Sequence, residues 1–197
     1  MSTAVPTKKS RVLLLLMLCL FMAPLAAAFW LYYGTGWRPA STTNHGELIQ
    51  PARALPEVAL RRIDGSAANS ALLHGKWSLV VMGDGACDER CQITLNYARQ
   101  TVLGMGRQQS RVQGVWLVTA NCCERSSVQR EQHELLLLNA SDSTAAALRR
   151  LFPEADRERM IFVVDPMGNL MMRYDTRLEP RGLRLDLKQL LDLSQIG

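Results

Sequence analysis

No acidic residue precedes Glu47, no internal repeat runs along the 197 residues, and only three histidines occur. Without a repeat, a chain of this length has room for one ordinary domain plus an appendage. Charge is equally sparing: three of the 23 basic residues (Lys8, Lys9, Arg11) lie before residue 12, leaving 20 against 18 acidic ones beyond it. A region at +2 gives no footing for nucleic-acid binding, so no nucleic-acid partner is expected. Of the histidines, His45 falls in a polar stretch, His74 in a turn and His133 in a charged connection. Each reads more readily as a solvated surface residue than as a ligand.

The appendage comes first. Val12 to Tyr33, VLLLLMLCLFMAPLAAAFWLYY, is uncharged throughout and long enough to cross a bilayer as a helix; Pro24 marks where a kink is expected. With basic residues ahead of it and no acidic ones, residues 1–11 are expected in the cytoplasm and everything after Tyr33 outside. Ala26-Ala27-Ala28 also suits a signal-peptide cleavage site. The apolar run continues past it through Phe29, Trp30, Leu31, Tyr32 and Tyr33, an aromatic belt that favours a retained anchor over 12–33. Cys19 lies in this span as a packing residue. Cys87, Cys91, Cys122 and Cys123 are an even number on the side where disulfides form, and four cysteines allow three pairings.

Residues 34–56 are rich in Gly, Thr, Ser, Asn and Pro and read as a tether, with a short strand near Leu48 as an option. The domain is expected over 57–197. Val58–Arg62 reads as a strand before the turn Asp64-Gly65, and Trp77–Met82 as a second strand. Val112–Val118 (VQGVWLV) and Leu135–Leu138 add two of buried type. Glu124 to Glu134 carries both signs of charge and reads as a solvated loop or short helix. Ser141-Asp142-Ser143 is a cap for a helix over Thr144–Phe152, stopped by Pro153. Met160–Val164 and Leu170–Tyr174 flank the turn Asp165-Pro166-Met167-Gly168-Asn169. Leu183, Leu187, Leu190 and Leu191 mark a last amphipathic helix. Of the neighbours Met171 and Met172, one must face the core, so core packing is the simpler role for them than a soft-metal site. The order of elements predicts an α/β sheet with flanking helices, a parallel part and an antiparallel edge.

The chemistry is expected at Trp77–Met105. A buried-type strand turns at Gly83-Asp84-Gly85, presents Cys87 and Cys91, and runs into a helix whose apolar stripe is Cys91, Leu95, Ala98, Val102 and Met105. A helix beginning just after Cys87 would hold both thiols about one turn apart at its amino end, where free N–H groups and the dipole acidify them. Such a pair can cycle between dithiol and disulfide or hold a soft metal ion. Two cysteines four apart can also be buried small hydrophobes. In α/β sheets ligands gather beyond the carboxyl ends of parallel strands. Cys122-Cys123 follows one such end and Cys87 another. A bond between adjacent cysteines is geometrically awkward, so pairing of one of them with Cys87 or Cys91 is the easier expectation.

At these residues the chain resembles the thioredoxin-like superfamily and, within it, the Sco/SenC proteins that help assemble the copper centre of cytochrome oxidase. The resemblance is carried by the N-terminal anchor, Gly75-Lys76-Trp77, the CxxxC pair and Asp165-Pro166-x-Gly168. It implies a thioredoxin-like fold, a bacterial-type inner membrane with the domain in the periplasm, a respiratory oxidase subunit or a copper or thiol partner protein, and Cu(I) as cargo. Asp88 and Gln92 stand where the family has prolines, and Arg157 where its third copper ligand, a histidine, is expected. The implied copper site is thus incomplete, with Cys87 and Cys91 as ligands and Cys122, Cys123 or His133 as candidates to complete it.

Three functions fit these residues: Cu(I) handling in oxidase assembly, thiol-disulfide exchange by Cys87 and Cys91, and a scaffold with structural cysteines. CxxxC rather than CxxC, no proline shortly before Met160, and no peroxidase-type threonine before Cys87 count against ordinary thioredoxin-like enzymes.

Overall fold

With no charge between Arg11 and Arg38 to hold it in water, the first segment folds as one helix, α1 (Lys8–Gly34), which runs through Pro24. The computed structural model describes residues 8–35, 44–122, 134–154, 156–194 and 196; the charged run from Glu124 to Gln132, Cys123 and His133 lie outside them. Two units are distinct, Met1–Thr43 and Asn44–Gly197. In the first, the 24 residues Arg11–Gly34 span about 36 Å at about 1.5 Å per residue, enough to cross a hydrocarbon layer about 30 Å thick. Their large apolar side chains are exposed on every side, as expected of a helix that meets lipid rather than a protein core.

The second unit is built on an eight-stranded mixed sheet in the order β1-β8-β7-β4-β5-β6-β2-β3. Its strands are β1 (Glu47–Ala54), β2 (Ala59–Arg62), β3 (Ala67–Asn69), β4 (Trp77–Asp84), β5 (Val112–Ala120), β6 (Leu136–Asn139), β7 (Met160–Val164) and β8 (Asn169–Asp175). β4, β5 and β6 are parallel neighbours; β7 runs antiparallel beside β4, and β8 antiparallel beside β7. The turn between β7 and β8 is the expected one, with Gly168 at φ +84° and Asp165 accepting from the N–H groups of Met167 and Asn169. β3 has no clear sequence signal, and β1 is the short strand allowed near Leu48, longer than expected. β3 is three residues long, and β1, inside the stretch read as tether, is a mostly exposed edge strand, where alternation has no core to point at and Pro51 is tolerated.

Each face of the sheet is covered by helix. On one, α2 (Glu89–Leu103) and α4 (Pro180–Leu193) pack Cys91, Leu95, Ala98, Leu183, Leu187 and Leu191 against Leu79, Val81, Trp116 and Val163. On the other, α3 (Ala146–Leu151) brings Leu148 over Val80, Leu117 and Phe162. α3 is shorter than the helix expected over Thr144–Phe152, because Ser143–Ala145 forms a 3-10 turn and the Asp142 side chain makes no cap bond. Met172 is buried among the core residues.

One carboxylate fastens the beginning of this unit. Asp186 of α4, only 4 % exposed, accepts from the backbone N–H groups of His45 and Gly46, and the His45 ring lies 2.8 Å from its other oxygen. His45 therefore serves the fold rather than a metal. Asp186→Ala leaves two backbone donors without their acceptor and should cost about 1–3 kcal/mol, measured by urea unfolding of the full chain in detergent followed by tryptophan fluorescence. A change below 0.5 kcal/mol, on the order of a neutral surface substitution, would show that water replaces the carboxylate.

Candidate functional site

β4 and β5 pair in parallel from Trp77↔Val112 to Asp84↔Ala120, so the loops that follow them leave the sheet side by side. The sequence laces these loops together. Gly85 donates to the Ala120 carbonyl, and Asp84 accepts from the Asn121 side chain at 2.7 Å and from the Ala86 N–H. A Cβ on Gly85 would fall 2.2 Å from the Asn121 oxygen, so only glycine allows this approach. Cys87 then takes φ +42°, uncommon for a side-chain-bearing residue, with its N–H on the Asp84 carbonyl.

Cys87 and Cys91 are joined to each other by a disulfide, with Cα atoms 5.2 Å apart. This corrects the expectation that one of them pairs with Cys122 or Cys123. The five-residue loop already brings the two within bonding range. Cys122 is also disulfide-bonded, but not to Cys87 or Cys91, which hold one another. It packs against the same core, so Cys87, Cys91 and Cys122 share the carboxyl edge of the sheet.

The helix begins one residue later than the spacing suggests. Asp88 is the N-cap, in extended conformation, and its carboxylate accepts from the Cys91 N–H at 2.9 Å. Cys91 is therefore the third residue of α2, within the first turn, where backbone donors and the positive end of the dipole act. Cys87 lies outside the helix. Gln92 donates from its side chain to the Cys87 carbonyl at 3.1 Å. Both sulfur-bearing residues are buried, Cys87 at 2 % and Cys91 at 1 % exposure.

Beyond the ends of β4 and β5 lies a cleft of about 480 Å³, lined by Gly83, Asp84, Arg90, Thr119, Arg157 and Arg159 among others. Its far wall is the segment before β7, tied to α2 by the Thr94 hydroxyl, which donates to the Glu158 carbonyl at 2.7 Å. Arg177 steadies the same wall by pairing with Asp175 and Asp156, and its hydrogen bond to Asp175 holds that carboxyl below its ordinary value.

The expected histidine position has a different task. Arg157 donates to the carbonyls of Arg149, Phe152 and Pro153, closing the carboxyl end of α3. His74 packs over Gly168, ahead of β4 and so at the opposite end of that strand from the cysteines. Among the described residues no cluster of three or more His, Cys, Asp or Glu side chains suits a metal ion.

A mixed sheet with helices on both faces, and a cysteine pair leading into the helix after a central parallel strand, define a thioredoxin-like domain. The chain belongs to the family described as transmembrane-like, thioredoxin-like, C-terminal domain, whose sequence profile matches residues 77–194. Comparison with curated protein sequences finds no match. Among solved structures it is similar to yeast Sco1 with copper bound (TM-score 0.60, 15 % identity, 74 % of this chain and 96 % of that one). It is also similar to apo Sco1 from Thermus thermophilus (0.56, 20 %, 77 % and 99 %). A putative protein disulfide isomerase from Bacteroides thetaiotaomicron gives 0.56 at 12 % identity over 76 % and 95 %. At these identities the likeness is one of fold.

Asp88→Ala removes the N-cap of the helix that carries Cys91. It should cost about 1 kcal/mol while Asp88→Asn retains most of the stability, by the same unfolding measurement. Equal losses in the two variants would assign the effect to charge rather than to capping.

Proposed function

We propose that the protein is a membrane-anchored, thioredoxin-fold assembly factor for a respiratory cytochrome c oxidase that exchanges its Cys87–Cys91 disulfide with cysteine thiols of a partner protein. In this proposal residues 1–11 are cytoplasmic, 12–33 span a bacterial-type inner membrane, and the folded unit works in the periplasm. The observation that carries it is the disulfide between Cys87, in the loop leaving β4, and Cys91, in the first turn of α2. Oxidase assembly is drawn from the likeness to Sco proteins.

The two cysteines are not equivalent. A partner thiolate attacks the Cys87 sulfur, the S–S bond breaks, and Cys91 departs as thiolate, favoured by the helix end on which it sits. A second partner thiolate then attacks the partner sulfur of the mixed disulfide and releases Cys87. The partner has lost two electrons and gained a disulfide; the pair has gained them as a dithiol. Because neither cysteine is more than 2 % exposed, attack waits on docking that opens a path to Cys87. Small thiols in solution therefore react slowly, although they reach the same equilibrium.

A second function is supported by the similarity to a copper-bound Sco1: Cu(I) carried as cargo by the reduced Cys87 and Cys91 thiolates, a soft pair suited to it. The three-ligand arrangement does not fit, since Arg157 is spent on α3.

In cells, the lone Cys87 thiolate of Cys91→Ser should attack the disulfide of an oxidised partner, release one partner thiolate and accumulate a mixed disulfide that no second cysteine resolves, visible by non-reducing electrophoresis and absent in Cys87→Ser. No such species from either variant would overturn exchange. Reduced protein titrated with Cu(I) against a chelator, with Cys87→Ser/Cys91→Ser as control, then tests the cargo function; binding equal to the control ends it.

A further inference from the structure

The wall behind the disulfide contains a donor with nothing to donate to. Trp116, in the middle of β5, is completely buried, and its indole Nε1 has no hydrogen-bond partner among the described residues. A buried, unsatisfied N–H normally costs about 1–3 kcal/mol, so an orphan of this kind calls for an explanation. Its position supplies one. Trp116 and Gly83 lie on the same face of adjacent strands, beneath α2. The point where a Cβ on Gly83 would stand is 3.4 Å from the Cys91 Sγ and 3.8 Å from the Trp116 Nε1. Sulfur and indole nitrogen therefore border one small space, left open because residue 83 has no side chain.

In the oxidised protein the Cys91 sulfur is committed to Cys87, and a disulfide sulfur is a weak acceptor. Reduction changes its character: freed from Cys87 and charged, it becomes a strong acceptor in a nearly dry environment, where a hydrogen bond to an ion is worth most. Building on the exchange function above, we propose that the Trp116 indole N–H is a thiolate-stabilising donor for Cys91, unpaired in the disulfide form and engaged in the dithiol form. The tryptophan thereby favours reduction and helps select Cys91 as the leaving sulfur. For reduction by dithiothreitol, the reagent's two thiols give up two electrons and become its cyclic disulfide. One proton goes to Cys87, Cys91 stays as thiolate, and the other proton goes to solvent.

The test needs no partner protein, so it fails or succeeds independently of the exchange function. The full chain in detergent is equilibrated with oxidised and reduced dithiothreitol, and the fraction of reduced Cys87/Cys91 is read by alkylation and peptide mass analysis. Trp116→Phe keeps an aromatic ring and removes the donor. The constant for reduction should fall at least fivefold, and the pH midpoint for Cys91 alkylation should rise. Gly83→Ala leaves the donor but fills the shared space, and should shift both readouts the same way; it also carries the test if Trp116→Phe does not fold. In the unmodified protein labelled with nitrogen-15, the Trp116 indole resonance should move on reduction. A reduction constant within twofold of wild type and an unchanged alkylation midpoint in the variants that fold would overturn the proposal. So would an indole resonance that is indifferent to the redox state.

Discussion

The parallel pairing of β4 with β5 is the constraint on which the rest of the site depends. Parallel neighbours need a long crossover, here supplied by α2, and they deliver the loops after both strands to the same edge. Once Asp84 stands opposite Ala120, the Gly85–Ala120 hydrogen bond and the close approach to Asn121 can form. These contacts fix the backbone from which Cys87 and α2 start. A slip of register would separate the loops and move Gly83 away from Trp116 at once.

Where this chain departs from the Sco/SenC pattern, the replacement residues have identifiable structural work. Asp88, in a proline position, caps α2 through the Cys91 N–H. Gln92, in another, holds the Cys87 carbonyl. Arg157, in place of the expected histidine, gathers three carbonyls at the end of α3. All three exchange a role toward a ligand or a rigid turn for hydrogen bonds within the chain. The cysteine pair is what remains, and on that ground we propose thiol exchange rather than a three-ligand metal site.

The sequence made the architecture and the location of the cysteine pair legible, because both rest on local signals. The helical stripe of Cys91, Leu95 and Ala98, the apolar runs of β4, β5 and β7, and the Asp165–Asn169 turn each declare themselves within a dozen residues. Contacts between distant segments were not legible. Four cysteines leave three pairings open: the short loop brings Cys87 and Cys91 within reach of each other, but where Cys122 stands relative to them depends on the pairing of β4 with β5. His45 looked like a tether residue because its partner, Asp186, is 141 positions away. Arg157 looked like a missing ligand because the carbonyls it serves belong to a helix whose end is set by packing. Trp116 looked like one more apolar residue of a buried strand, since nothing in VQGVWLV reports that its nitrogen lacks an acceptor.

Burial of the disulfide carries two opposed consequences. A sulfur sealed from water is protected from adventitious thiols, yet a thiolate formed there loses its hydration and is penalised for it. A buried redox pair must therefore have internal groups that replace the water, or the dithiol state would be too costly to reach. The first turn of α2 supplies one such group and the Trp116 N–H, across the space above Gly83, supplies another. A donor left unpaired in the oxidised state destabilises that state slightly; the same donor paired in the reduced state stabilises it. Both effects act in one direction, toward accepting electrons from a partner, so an orphaned polar atom in the core can be part of how the disulfide is poised.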